Sequence, residues 1–67
     1  MPREREVRYV LKRLVKEGWV RDRIRGSHYI FRKDGESVSV PTSEREIAIG
    51  TYRSIAKQLG WIEGERA

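Results

Sequence analysis

Residues 19–41 read Trp19-Val20-Arg21-Asp22-Arg23-Ile24-Arg25-Gly26-Ser27-His28-Tyr29-Ile30-Phe31-Arg32-Lys33-Asp34-Gly35-Glu36-Ser37-Val38-Ser39-Val40-Pro41. Residues 19–25 alternate and are rich in β-formers, which predicts a first strand. Gly26 marks a turn, and residues 27–33 predict a second strand. Asp34-Gly35 is a strong two-residue hairpin signal. Residues 36–40 then form a third strand, with Val38 and Val40 on one face. Pro41 ends it, because proline cannot donate to a ladder. Two hairpin connections imply an antiparallel three-stranded sheet.

On either side of this sheet the hydrophobic period changes from two to that of a helix. Val7, Val10, Leu11, Leu14 and Val15 fall at i, i+3, i+4, i+7 and i+8, which predicts an amphipathic first helix over 3–17 with Gly18 after its end. Residues 42–49 read as a connecting loop, although Ser43 and Glu46 would fit a capping box. Ile47 and Ile49 are expected to pin that loop to the core. A second helix is expected over 51–59, with Gly50 or Thr51 as N-cap and Tyr52, Ile55, Ala56 and Leu59 on its apolar side. Gly60 should end it, Trp61 and Ile62 should fold back onto the core, and residues 63–67 should fray. The fold class is therefore α+β, in the order α-β-β-β-α, as one domain over 1–67. Both helices need one shared apolar surface, so they should pack on one face of the sheet. A small sheet with two helices on one side is the architecture of double-stranded-RNA-binding domains.

With 67 residues the chain has a small core, and without cysteine it has neither a disulfide staple nor a thiolate metal site. A reducing cytoplasm is allowed and is the expected location. No apolar run approaches membrane-spanning length, and the first residues form no signal-peptide core, so no membrane partner is expected. Lys and Arg outnumber Asp and Glu by 15 to 10. Arginine dominates that excess, and its planar fork of donors suits phosphate, so nucleic acid leads among polyanion partners.

His28 is the only histidine. Strand parity places Ser27, Tyr29, Phe31 and Lys33 on one side, with His28, Ile30 and Arg32 on the other. The bulkier pair Tyr29 and Phe31 should face the helices, which leaves His28 on the open face beside Arg32. Histidine is the side chain whose ordinary pKa suits proton transfer near neutrality. From local sequence alone, His28 reads more readily as a strand histidine with a structural hydrogen bond or as a plain surface residue than as a catalytic group. The arginines are equally readable as a solvated edge that discourages sheet-to-sheet pairing. One histidine and no cysteine make a metal site unexpected, and no nucleotide-binding glycine loop is present.

The stretch Gly26-Ser27-His28-Tyr29-Ile30-Phe31-Arg32 resembles the G-S-H-x-x-(F/Y) signature of the HicA family of bacterial mRNA-interferase toxins. Val38-Ser39-Val40-Pro41 is similar to that family's V-x-V-P strand end. Residues 46–60 resemble its E-(I/L)-x-x-G-T-L-R-S-I-L-K-Q-A-G helix, and Leu11 to Gly18-Trp19 resembles the end of its first helix. The resemblance covers about residues 7–62. It implies an endoribonuclease of a type II toxin–antitoxin system that cleaves mRNA without metal or cofactor. His28 would be the catalytic residue. Beyond the resemblance, the charge and position of Arg25, Arg32 and Lys33 around His28 lead us to expect them to contact RNA phosphate, with Gly26, Ser27 and Tyr29 as supporting residues. The resemblance also implies a HicB-type antitoxin covering the His28 face, and contact with DNA only indirectly, through the antitoxin complex. Two departures matter. Many members carry a histidine soon after the V-x-V-P proline, where this chain has Thr42-Ser43, and Tyr52 stands where leucine is usual. The competing readings are a non-catalytic RNA-binding module and a protein-interaction module on the same fold.

Overall fold

A computed structural model describes residues 4–62. The order is α1 (Val7–Lys16), β1 (Val20–Arg25), β2 (His28–Lys33), β3 (Glu36–Pro41) and α2 (Ile49–Leu59). The sheet order is β1-β2-β3, antiparallel throughout. This is the expected α-β-β-β-α architecture. The expected fraying of 63–67, like a helix start at residue 3, falls outside the described residues.

Both hairpin turns follow from their residues. Asp34 and Gly35 both take positive φ, at 50° and 82°, as a mirror-image two-residue turn requires. Gly26 has φ 56° and precedes Ser27 in the other two-residue connection, which joins the paired residues Arg25 and His28. The β1–β2 register slips once, between Arg21 and Arg23, leaving Asp22 as the extra residue of a bulge.

The core is one cluster. Val10 and Leu14 of α1 meet Trp19, Phe31, Val38, Val40, Ile47, Tyr52, Ile55 and Ala56, with Val7, Leu11, Tyr29, Leu59, Trp61 and Ile62 packed against it. Fully burying a side chain such as Leu14 or Val40 contributes about 1.5–3 kcal/mol. The contributors from sheet and helices show that both helices share one sheet face.

Three details depart from the sequence reading. First, α1 starts at Val7 rather than at residue 3. Glu6 just before it is extended and bridged: Val7 N–H donates to the Arg45 carbonyl at 3.0 Å and Ile47 N–H to the Arg5 carbonyl at 2.9 Å. The Arg5 guanidinium adds a 3.0 Å bond to the Ile47 carbonyl. Backbone committed to this Glu6–Glu46 bridge cannot also wind into a helix. Second, the same bridge seats Ile47 in the core, and α2 starts two residues early, with Ala48 as N-cap and its carbonyl accepting from Tyr52 N–H at 2.8 Å. Neither Gly50 nor Thr51 is the cap. Ile49 therefore falls on the outer side of the new helix and is 60% exposed. Third, Val15 lies outside the α1 core stripe, at 62% exposure. The other expectations for the second helix hold, including Gly60 as its left-handed C-cap.

Candidate nucleic-acid interface

Residues paired directly across an antiparallel ladder share a face. Phe31, Val38 and Val40 are buried, so they and their partners define the helix side of the sheet. The register then puts His28, Ile30 and Arg32 of β2 on the open side. Val20, Arg23 and Arg25 of β1 join them, as do Ser37, Ser39 and Pro41 of β3. His28 stands between Arg25 on one neighbouring strand and Pro41 on the other. It is exposed.

The bulge at Asp22 decides which arginines reach this face. In a regular strand Arg21, Arg23 and Arg25 would all point the same way. With one extra residue, Arg21 instead pairs with Phe31 on the helix side, and its guanidinium lies 5.5 Å from the centre of the Tyr29 ring. Arg23 and Arg25 stay on the open side. Asp22 contacts this cationic surface: its carboxylate accepts from Arg23 Nε at 3.3 Å and lies 3.9 Å from Arg32 Nη1.

The residues singled out in the sequence thus divide. His28 and Arg25 are cross-strand neighbours. Arg32 shares their face but sits four residues along β2, about 13 Å from His28 at strand rise. Lys33 is on the other side. Its ammonium donates to the Glu17 carbonyl at 2.7 Å, at the end of α1, and lies 6.0 Å from the Trp19 ring centre. Tyr29 also faces the helices and is half-buried there, so its hydroxyl does not share a face with His28. Gly26 and Ser27 form the turn that presents His28. The Ser27 carbonyl accepts twice from Thr42, from its N–H at 2.7 Å and its hydroxyl at 2.8 Å. That pair of bonds fixes the chain after β3 beside the start of β2. The hydroxyl at 42 is thereby committed to a backbone carbonyl.

Arg23 was not among the sequence candidates. The signal was its place between Arg21 and Arg25, but alternation alone cannot separate the three. Among the described residues no cluster of three or more His, Cys, Asp or Glu could hold a metal, and no helix is long and apolar enough to cross a membrane.

A second cluster ties the elements beneath the sheet together. Glu17 accepts from Trp61 Nε1 at 2.8 Å and from Arg13 Nε at 3.1 Å, and the Arg13 guanidinium lies 4.1 Å from the Trp61 ring centre. The Trp61 hydrogen bond, reinforced by Arg13 and Lys33, holds the Glu17 carboxyl below its ordinary pKa. Burial pushes the Tyr52 hydroxyl pKa up. Both groups lie on the helix side, remote from His28.

The family whose model matches this chain is described as the HicA toxin of bacterial toxin–antitoxin systems, and the match covers residues 7–61. No curated protein and no solved structure matches the chain significantly.

Proposed function

This chain belongs to the HicA toxin family, and from that membership as a toxin of a toxin–antitoxin system we propose that it is an endoribonuclease acting on mRNA, with His28 as its catalytic residue. The observation that carries the reading is the setting of His28. It is solvent-exposed on the open sheet face, with Arg25 directly across the ladder. Cleavage of RNA by its own 2′-hydroxyl needs a base for that proton, a donor for the charged phosphorane and an acid for the leaving 5′ oxygen. His28 takes one proton role. Arg25 is the nearest cation in the register and stabilises the phosphorane; Arg23 and Arg32 hold flanking phosphates along the strand. The second proton is exchanged with water, because Thr42 is bonded to the Ser27 carbonyl and Tyr29 faces the helices. One general acid–base group contributes about 10²–10⁴-fold, so the turnover is expected to be modest.

The antitoxin partner that the family implies is of the HicB type and neutralises the toxin by covering the open face. An acidic surface on that partner would complement Arg23, Arg25 and Arg32 and would compete with RNA for them. Contact with DNA would come only through the antitoxin complex, and no step calls for a metal or cofactor.

The test is purified protein incubated with mRNA in EDTA, wild type beside His28→Ala. Fragments ending in 2′,3′-cyclic phosphate from the wild type alone are the expected result. Equal cleavage by both proteins would remove His28 from the mechanism. No cleavage by either, with tight RNA binding, would identify a binding module.

A further inference from the structure

The outer face of α1 is cationic, and local stability does not explain it. Arg8, Lys12 and Lys16 occupy i, i+4 and i+8, so they line up along the helix at a rise of about 6 Å per step. All three are exposed, and no hydrogen bond or ion pair holds any of them among the described residues. Val10 and Leu14, on the reverse of the same helix, are buried against the sheet. The ridge therefore points away from the sheet, on the side of the molecule opposite His28.

Like charges at i, i+4 destabilise a helix, and this ridge has two such pairs in succession. Arg8 lies in the first turn, where the helix dipole disfavours a cation, and that turn contains no acid. Only Lys16, in the last turn, is favoured by the dipole. A surface helix selected for stability alone would alternate its charges. Glu17, the acid next to Lys16 at the helix end, is engaged with Arg13 and Trp61. Tyr9, 43% exposed, flanks the ridge and offers a ring for stacking.

We propose that the α1 ridge of Arg8, Lys12 and Lys16 is a second nucleic-acid site, which holds the phosphodiester backbone of a single strand on the side of the molecule remote from His28. The regular cationic spacing suits successive phosphates and reads no bases, so the site is sequence-tolerant. It stands independently of any cleavage at His28. One consequence is that a protein covering the open face leaves this site free, so the inhibited toxin still binds nucleic acid.

The experiment measures binding of a fluorescent 20-nucleotide strand between 50 and 200 mM salt. An RNA strand is used with His28→Ala protein, and a DNA strand of the same sequence, which has no 2′-hydroxyl, with wild type. The test variant is Arg8→Gln/Lys12→Gln/Lys16→Gln, because glutamine keeps helix propensity. A control, Arg45→Gln/Arg53→Gln/Lys57→Gln, removes the same charge elsewhere. Three phosphate contacts on a single strand contribute about 2 to the slope of log affinity against log salt. Across this fourfold salt range, the parent should thus lose about 18-fold more affinity than the ridge variant. Equal loss on RNA and DNA marks backbone binding; loss on RNA alone would overturn that assignment. An unchanged slope in the ridge variant, or an equal drop in the control, would overturn the site. Equally tight ridge-dependent binding of poly-glutamate would also overturn it, by showing general polyanion affinity. Circular dichroism of each variant, expected to match the parent, separates these outcomes from misfolding.

Discussion

Two neighbouring residues of β2, Arg32 and Lys33, carry the same charge and should behave oppositely. Lys33 reaches beneath the sheet, where its ammonium bonds the Glu17 carbonyl at 2.7 Å at the C-terminal end of α1. Lys33→Met keeps most of the aliphatic stem and removes the donor. A hydrogen bond to a charged group contributes about 1.5–3 kcal/mol when well shielded. Lys33 is half-buried, so solvent screening brings this to about 1 kcal/mol. In a domain of this size that lowers Tm by about 4–8 °C. Arg32→Gln acts on the open face, where its guanidinium lies in exposed surface beside Asp22. It should leave Tm nearly unchanged and reduce the salt slope of RNA binding by about 0.7, one phosphate contact. Thermal unfolding by circular dichroism and fluorescence anisotropy with an RNA strand read the two effects separately. If Lys33→Met keeps the wild-type Tm and instead flattens the salt slope, Lys33 is a phosphate ligand and the assignment of faces is wrong.

Two further substitutions and one deletion probe the same framework. Gly26→Ala meets no atom within 4 Å but places an L-residue at φ 56°, a cost of about 1–2 kcal/mol; chemical denaturation should show it, and the activity of the remaining folded protein should fall if the turn aims His28. Glu17 has a lowered pKa in the folded protein, so its contribution to stability is full above the unfolded carboxylate pKa and is lost as pH falls through the folded value. Glu17→Gln should therefore destabilise the protein at neutral pH and reduce the acid-side slope of Tm against pH; parallel curves for the two proteins would contradict this. Deletion of Asp22 should close the bulge while the register pairs on both sides of it persist. It would free Arg23 and Arg32 from their carboxylate, so RNA binding should tighten and its salt slope steepen. The straightened β1 edge should also promote self-association, measurable by sedimentation.

The sheet was legible because its turns are chemical statements. Asp34-Gly35 demands two positive φ values, and Gly26 one, and the strands between them had little choice of register. Parity along β2 correctly separated His28 from Tyr29 and Phe31. It also placed Lys33 on the helix side, against its assignment as a phosphate ligand; in that conflict the geometry of the strand prevailed over the lure of its charge. The parts that were illegible all depend on contacts between distant segments. The late start of α1 and the early start of α2 come from the pairing of Glu6 with Glu46, a bridge across forty positions that no local propensity encodes. The bulge at Asp22 is likewise a property of the β1–β2 pair, and without it the three alternating arginines look equivalent. Its effect reaches the charge of the open face as well as its geometry. One extra residue turns Arg21 under the sheet against Tyr29, leaves Arg23 and Arg25 on the side of His28, and sets a carboxylate between Arg23 and Arg32. A cationic face diluted by one anion attracts phosphate less there than beside Arg25, so under the proposed function the strongest pull on an RNA backbone would fall next to His28. A pattern that at first resembles a uniform basic strand is therefore a graded one, with its least neutralised end at the imidazole.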